Sequence, residues 1–316
     1  MEGDLIGTVT PPPVHRPIMV AEVLEHLRPG PGDVVVDCTL GGGGHARALL
    51  ERIRPGGRLI GLDVDQDELI RTERRLRAEG AGPEEFVAVP RSFADLPEVL
   101  RDVDAGRANV VFADLGVSAM QLDTPARGFD YKRPGPLDMR MDPRATRTAA
   151  EVIDSLTAPA LAALLRAYAD EPHADAIAGL VAGRGIETTH ALERAVRMGL
   201  NALRPDLSRA EVKLSVRRTF QALRIAVNDE FGALDSMLRS LPRCLAPGGR
   251  VAILTFHSGE DRPVKQAFRE GARSGIYVEV ARDVVRSTVE ELRANRRAQA
   301  AKLRWAVRSA APATGG

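Results

Sequence analysis

The sequence predicts an α/β fold, a doubly wound sheet interrupted after its fourth strand by an inserted helical module. Three observations carry that reading. Val34, Val35 and Val36 form an unbroken β-branched run, as in a parallel strand buried on both faces. Four consecutive glycines, Gly41 to Gly44, follow a few residues later. Strand-like and helix-like segments then alternate as far as Leu115, stop at about Gln121, and resume with a helix at Asn228. Such alternation builds right-handed crossovers and leaves the ligand beyond the carboxyl ends of the strands.

Residues 1 to 14, ending in Pro11-Pro12-Pro13, read as a disordered lead, with structure starting near His15. After the first strand, the glycines permit positive φ and remove every Cβ. The backbone can then approach a ligand while a helix over His45 to Arg54 presents unpaired N–H groups. The second strand, from Arg58, ends in Asp63, about 20 residues after the loop, where an acid accepts hydrogen bonds from ribose hydroxyls. A helix over 65–80, a strand over 85–89, a helix over 95–103 and a strand over 109–115 complete the first half. NAD and S-adenosylmethionine sites share the glycine turn and acidic tip, so these residues leave the cofactor open.

Residues 124–147 form a polar loop rich in proline and arginine, followed by helices over 148–154, 158–168, 172–182 and 188–202. The α/β pattern returns with a helix over 228–245, the turn Pro247-Gly248-Gly249, a strand over 250–256, a helix after Gly259 and strands over 276–281 and 303–308. The sheet domain is thus expected from 15–122 and 219–316, with 123–218 as a helical substrate-recognition domain.

No signal peptide or membrane-length apolar run appears, so a cytoplasmic protein is expected. Cys38 and Cys244 fall in buried elements without a paired spacing, and no two histidines stand at i, i+4 on a helix; no metal is expected. A net charge of +1 is not the global signature of a nucleic-acid binder. Arginines nevertheless cluster at Arg217, Arg218 and Arg224, and again from Arg286 to Arg308, as local basic faces or as solvated helix faces.

Asp37, Asp63, Asp114 and His257 fall at strand ends, where ligands bind in such sheets. Each aspartate could also be a helix cap or turn former, and Ser258 with Asp261 has the spacing of a capping box. The segment RGFDYKRPGPLDMRMD, residues 127–142, lacks any period and mixes Arg127, Lys132, Arg133 and Arg140 with Phe129 and Tyr131. Rings among cations suit unpaired nucleic acid, and a lid packed onto the domain is the other reading. Arg127, Phe129, Arg140, Arg224 and His257 are the expected substrate contacts.

Taken in order, DCTLGGGGHA (37–46), LDVD (62–65), DLGVSAMQLD (114–123), RGF with GPLDMRMD (127–142), RTFQALRIAVNDE (218–230), FHSGEDR (256–262) and AKLR (301–304) resemble the 16S ribosomal RNA (cytosine-N4)-methyltransferases, called RsmH or MraW. His15-Arg16-Pro17 belongs to the same set, so the resemblance runs from His15 to about Arg308. It implies a class I (Rossmann-like) methyltransferase fold with a helical domain after the fourth strand and S-adenosylmethionine as cofactor. It further implies 16S ribosomal RNA or the small ribosomal subunit as partner, no membrane, and a monomer or homodimer. By motif, Gly43, Gly44 and His45 would contact the methionine portion, Asp63 the ribose and Phe93 the adenine. Asp114 and Gln121 would flank the transferring methyl, with Asp114 as catalytic residue or as a cofactor holder.

The chain departs from the family at several places. Ala119 replaces serine, Gly259 replaces leucine, and Asp130 and Pro134 alter the loop. Tyr168-Ala169-Asp170 replaces Tyr-Gly-Glu, Ser215 to Arg218 replaces Pro-Ala-Thr-Arg, and residues 295–300 also differ. A member retargeted to another RNA or base, or a non-catalytic RNA-binding protein that keeps the cofactor pocket, are the alternatives to cytidine methylation.

Overall fold

The computed structural model describes residues 17–310; the expected lead at 1–14 and the motif residues His15 and Arg16 lie outside them. The strands are β1 (Val34–Asp37), β2 (Arg58–Leu62), β3 (Phe86–Val89), β4 (Ala108–Asp114), β5 (Leu245–Thr255), β6 (Tyr277–Val280) and β7 (Lys302–Arg308). They form one sheet in the order β3-β2-β1-β4-β5-β7-β6. Strands β1 to β5 pair in parallel, whereas β7 is antiparallel to both of its neighbours. The turn expected at 247–249 is taken into β5 as an irregularity, because Ala108 pairs with Leu245 and the next register, Val110, pairs with Arg250.

Helices α1 (Val20–Leu27), α2 (Gly44–Ile53) and α3 (Gln66–Ala78) cover one face of the sheet; α4 (Leu96–Asp102), α11 (Glu230–Cys244) and α12 (Ser258–Arg273) cover the other. The valine run shows why. Val35 points into the core shared with Leu49, Ile53 and Leu76, and Val36 into the opposite core with Leu96, Met237 and Leu241. A strand apolar at every position suits two cores, since successive side chains leave opposite faces. Among the described residues no helix is long and apolar enough to cross a membrane.

Between β4 and α11 lie α5 (Ala119–Asp123), α6 (Ala149–Ser155), α7 (Ala158–Ala169), α8 (Ala174–Val181), α9 (Thr189–Leu203) and α10 (Arg209–Asn228), and α13 (Val289–Ala294) precedes β7. The segment has a core of its own, in which Ile153, Leu161, Leu165, Ile177, Leu192, Val196 and Leu223 are buried. Helices α6, α7, α9 and α10 begin at side-chain caps on Thr148, Thr157, Thr188 and Ser208. The 20-residue α10 has no counterpart among the helices expected from the sequence, although Ser208 and Glu211 form a reciprocal capping box at its start. The boundary expected at 218/219 therefore falls inside a continuous helix, and Val216 and Phe220 on either side of it share the insertion's core.

Candidate active site

Four segments converge at the carboxyl ends of β1, β2 and β4. The glycine loop after β1 opens α2, whose first N–H groups have no acceptor within the helix. Gly41 and Gly43 take φ of 43° and 66°. A Cβ on Gly43 would lie 2.6 Å from Thr72 Cγ2, whereas one on Gly42 would meet nothing within 4 Å. The loop is thus pressed against α3 on one side and open on the other. Its carbonyls are tied to α3: Thr72 Oγ1 donates to Gly41 O at 2.6 Å, and the Arg75 guanidinium donates to Gly42 O.

Asp63, just past β2, accepts the Gly41 N–H at 2.8 Å on Oδ2 and the Asp65 N–H at 2.8 Å on Oδ1. It therefore fixes the glycine loop, and each oxygen retains a second lone pair. Phe93 sits half-buried in a single 3-10 turn after β3, packed against the sheet.

Asp114 ends β4. Its N–H donates to Thr39 Oγ1 at 2.6 Å, which holds β4 against the loop after β1. About a quarter of its side chain, 27%, is exposed, and Oδ2 lies 3.8 Å from His45 Nδ1. Oδ1 is buried with no hydrogen-bond partner among the described residues. His45 is oriented by Nε2, which donates to Ile18 O at 2.8 Å, and its ring lies 4.6 Å from that of Phe112.

The cleft is rich in carboxyl groups that are poorly solvated. Burial, with the nearby charges of Asp37 and Glu260, pushes Asp114 up to about 8. Burial raises Asp37 to about 7, with Asp63 adding repulsion. Burial also lifts Asp63 to about 6 against the pull of its backbone donors. Glu68 is likewise raised to about 7 by burial, although Ser118 Oγ donates to it at 2.6 Å. Carboxyl groups held this way favour a cationic ligand, because a positive charge would return them to their ionised form.

Gln121 is buried with both ends of its amide engaged. Oε1 accepts the Ser118 N–H at 3.0 Å, and Nε2 donates to Asp65 Oδ2 at 3.2 Å.

Most of the expected substrate contacts are placed otherwise. Arg127 donates to the buried Asp65 at 2.5 Å and to the carbonyls of Arg140 and Met141. Arg140 makes two hydrogen bonds to Asp138 at 2.8 Å. Phe129 is buried in the insertion's core, and Tyr131 stacks at a tilt 5.1 Å from Phe220. The loop 127–142 is thus a packed lid, with its rings turned inward because apolar area in the insertion's core is available to them. Arg224 is held on Glu230 by hydrogen bonds of 2.8 and 2.9 Å. The second arginine run does not make one face either: Arg304 is buried on Asp261 and Arg297 pairs with Asp123.

His257 is the N-cap residue of α12 but makes no cap. The Ser258–Asp261 capping box is absent because Asp261 is taken by Arg304 and Lys302. His257 Nε2 instead lies 2.9 Å from Glu260 Oε1, off the line of a hydrogen bond, and Nδ1 is buried without a partner. It lines a cavity of about 320 Å³ between the insertion and the sheet domain, together with Tyr168, Arg217, Arg218, Phe231 and Gly259. These arginines are clustered in the sequence, but only the packing of α10 against α7, and the approach of α12, puts them around a space.

A mostly parallel sheet with a glycine turn, an acidic second-strand tip and a carboxyl-lined cleft defines a nucleotide-cofactor enzyme of the Rossmann-like class. The sequence model of the MraW methylase family matches residues 13–309, and the chain belongs to that family. It is 43% identical over 305 residues to ribosomal RNA small subunit methyltransferase H 2 of Alkaliphilus metalliredigens, covering 95% of this chain and 87% of that protein. It is 43% identical over 305 residues to ribosomal RNA small subunit methyltransferase H 1 of Lachnoclostridium phytofermentans, with coverage of 95% and 83%. Against ribosomal RNA small subunit methyltransferase H of Symbiobacterium thermophilum, identity is 39% over 313 residues, with coverage of 93% and 96%. The cofactor is therefore S-adenosylmethionine, and the cleft fits it. The orphaned Asp114 oxygen and the destabilised carboxyl groups suit a ligand carrying a sulfonium and an ammonium group.

Proposed function

We propose that this protein methylates the exocyclic N4 amine of a cytidine in the decoding region of 16S ribosomal RNA, free or within the small ribosomal subunit. The observation that carries the reading is Asp114, a strand-end carboxyl group with an unpartnered buried oxygen beside the glycine loop and His45. The names of the 39–43% identical relatives support the choice of ribosomal RNA.

When bound, S-adenosylmethionine supplies a methyl group made electrophilic by its sulfonium. Gly43, Gly44 and His45 would hold its methionine portion, Asp63 its ribose and Phe93 its adenine. The lone pair of a cytosine amine is delocalised into the ring, so the acceptor is a weak nucleophile. Asp114 in its ionised form would accept an N–H hydrogen bond from that amine, favour its rehybridisation, and stabilise the positive charge that develops on nitrogen. Gln121, with both amide ends engaged, serves this scheme by holding the segment after β4 against Asp65. The helical insertion, with the first half of α10, would recognise the RNA.

Mass spectrometry of ribosomal RNA from cells lacking the gene tests the proposal, together with transfer of labelled methyl to free RNA and to small subunits from those cells. Loss of one N4-methylcytidine mark, restored by the wild-type gene but not by Asp114→Ala, is the expected result. Unchanged cytosine methylation in the deletion strain overturns the substrate. Rescue by Asp114→Ala would point instead to a non-catalytic RNA-binding role.

A further inference from the structure

The cavity between the insertion and α12 is separated from Asp114 by a layer of paired charges. Arg224 is locked on Glu230 and lies 3.9 Å from Glu260, which also contacts His257 on the cavity wall. On the other side of that layer, Arg224 Nη1 lies 4.0 Å from the position of a Cβ on Gly116, two residues beyond Asp114. A group lodged in the cavity therefore adjoins the reaction centre without reaching it.

We infer that the cavity is a second nucleotide subsite, which takes one unpaired nucleotide flanking the cytidine to be methylated; the inference rests on the RNA reading above. Its volume of about 320 Å³ is at the lower end of small-ligand pockets and matches a single nucleotide rather than a peptide segment. Arg217 and Arg218 line it and have neither an ion pair nor a hydrogen bond among the described residues, so their charge is available to phosphate. Tyr168 and Phe231 meet edge to face, with centroids 5.5 Å apart at 86°, and offer ring surface to a base. Gln221 on the lining provides an amide that can read a base edge.

Gly259 lets two walls of the cavity close against α12: a Cβ there would lie 2.6 Å from Phe231 Cζ and 3.2 Å from His257 Nδ1, so a larger residue must displace both rings. The mouth is spanned by Arg262 of α12, which donates to Asp170 of the insertion at 2.6 Å. Ala169, Asp170, Arg217 and Gly259 are also positions where this chain departs from the family motifs, so the subsite's preference would be its own.

The test uses the full-length protein, with unmethylated small subunits and an oligoribonucleotide that carries the target cytidine and its neighbours, in which each neighbour in turn is 4-thiouridine. Irradiation is expected to attach one flanking position to peptides containing Phe231 or His257. Arg217→Ala with Arg218→Ala is expected to raise the KM for RNA about tenfold or more while the Kd for S-adenosylmethionine stays unchanged. Gly259→Leu, which displaces the Phe231 and His257 walls of the cavity without replacing any arginine, is expected to abolish the crosslink and raise the same KM. If wild-type protein methylates its RNA while both variants keep the wild-type KM, or the crosslinks map only elsewhere, the subsite is overturned and the functional reading survives. If wild-type protein methylates neither substrate, it is the functional reading that fails.

Discussion

Asp114 shows how position changes the chemistry of an ordinary side chain. In water an aspartate is ionised at neutral pH; at the end of β4, burial and the charges of Asp37 and Glu260 raise it from 3.8 to about 8. The sign follows from proton linkage. Between those two values the folded protein holds a proton that the unfolded chain has released, so stability falls as pH rises through the interval. Asp114→Asn should therefore raise Tm at pH 8 to 9 and give little change near pH 4, as measured by scanning fluorimetry; a pH-independent difference would refute the assignment. The same variant should slow methyl transfer by about 10²- to 10⁴-fold in single-turnover assays. The raised carboxyl groups also predict how the cofactor binds. Affinity for S-adenosylmethionine should increase from pH 6 to pH 8 as Asp63, Asp37 and Asp114 ionise, whereas S-adenosylhomocysteine, which lacks the sulfonium charge, should show a shallower slope by calorimetry.

At the scale of elements, two junctions hold the site together. The glycine loop is wedged between α3 and the cleft, and Gly43 is its tightest point. Gly43→Ala would place a Cβ 2.6 Å from Thr72 Cγ2 at a φ of 66°. The left-handed conformation alone costs about 1–2 kcal/mol, so a lower Tm and a marked loss of cofactor affinity are expected; wild-type affinity would show that the loop does not carry the ligand. The second junction is Arg127, which joins the buried Asp65 to the carbonyls of residues 140 and 141 in the lid. Arg127→Ala leaves the Asp65 carboxylate buried beside Gln121 without its counter-charge. A destabilisation of about 3–5 kcal/mol by denaturant titration is expected, with faster proteolysis within 128–142. A loss of RNA affinity at unchanged stability would instead restore Arg127 to the substrate surface.

Over the whole molecule, three cores share one chain: one on each face of the sheet and a third inside the insertion. Helix α10 crosses from the third core to the sheet domain without a break, and its Asn228 accepts the Met141 N–H at 2.7 Å and donates to Met139 O at 2.8 Å. The lid, the insertion and the sheet are thereby coupled. Leu165→Ala, at a fully buried position of the insertion, should cost about 2–5 kcal/mol. If the insertion recognises RNA while the sheet holds the cofactor, the variant should weaken RNA methylation and leave S-adenosylmethionine binding intact at a temperature where both parts remain folded. Equal loss of both would mean that the two parts unfold together.

The sequence by itself determined the sheet and the glycine turn and acids at its carboxyl ends. They are written in contiguous signals: an apolar run at 34–36, a glycine turn at 41–44, and acids at the ends of strands, where chain order and hand leave little choice of position. It also determined the insertion's existence, through the lost alternation. It did not reveal the antiparallel β7 between β5 and β6, which depends on the partners a strand finds, or the length of α10, whose capping box lay beyond the last recognised helix. Only the tertiary structure decided the fate of the arginines. Arg127, Arg140 and Arg224 looked like phosphate ligands, yet each is held on a carboxylate, Arg127 on the distant Asp65 and the other two on the nearby Asp138 and Glu230, while Arg217 and Arg218 are not. A cation's role is set by the nearest available anion, and in this protein several of those anions come from distant parts of the chain.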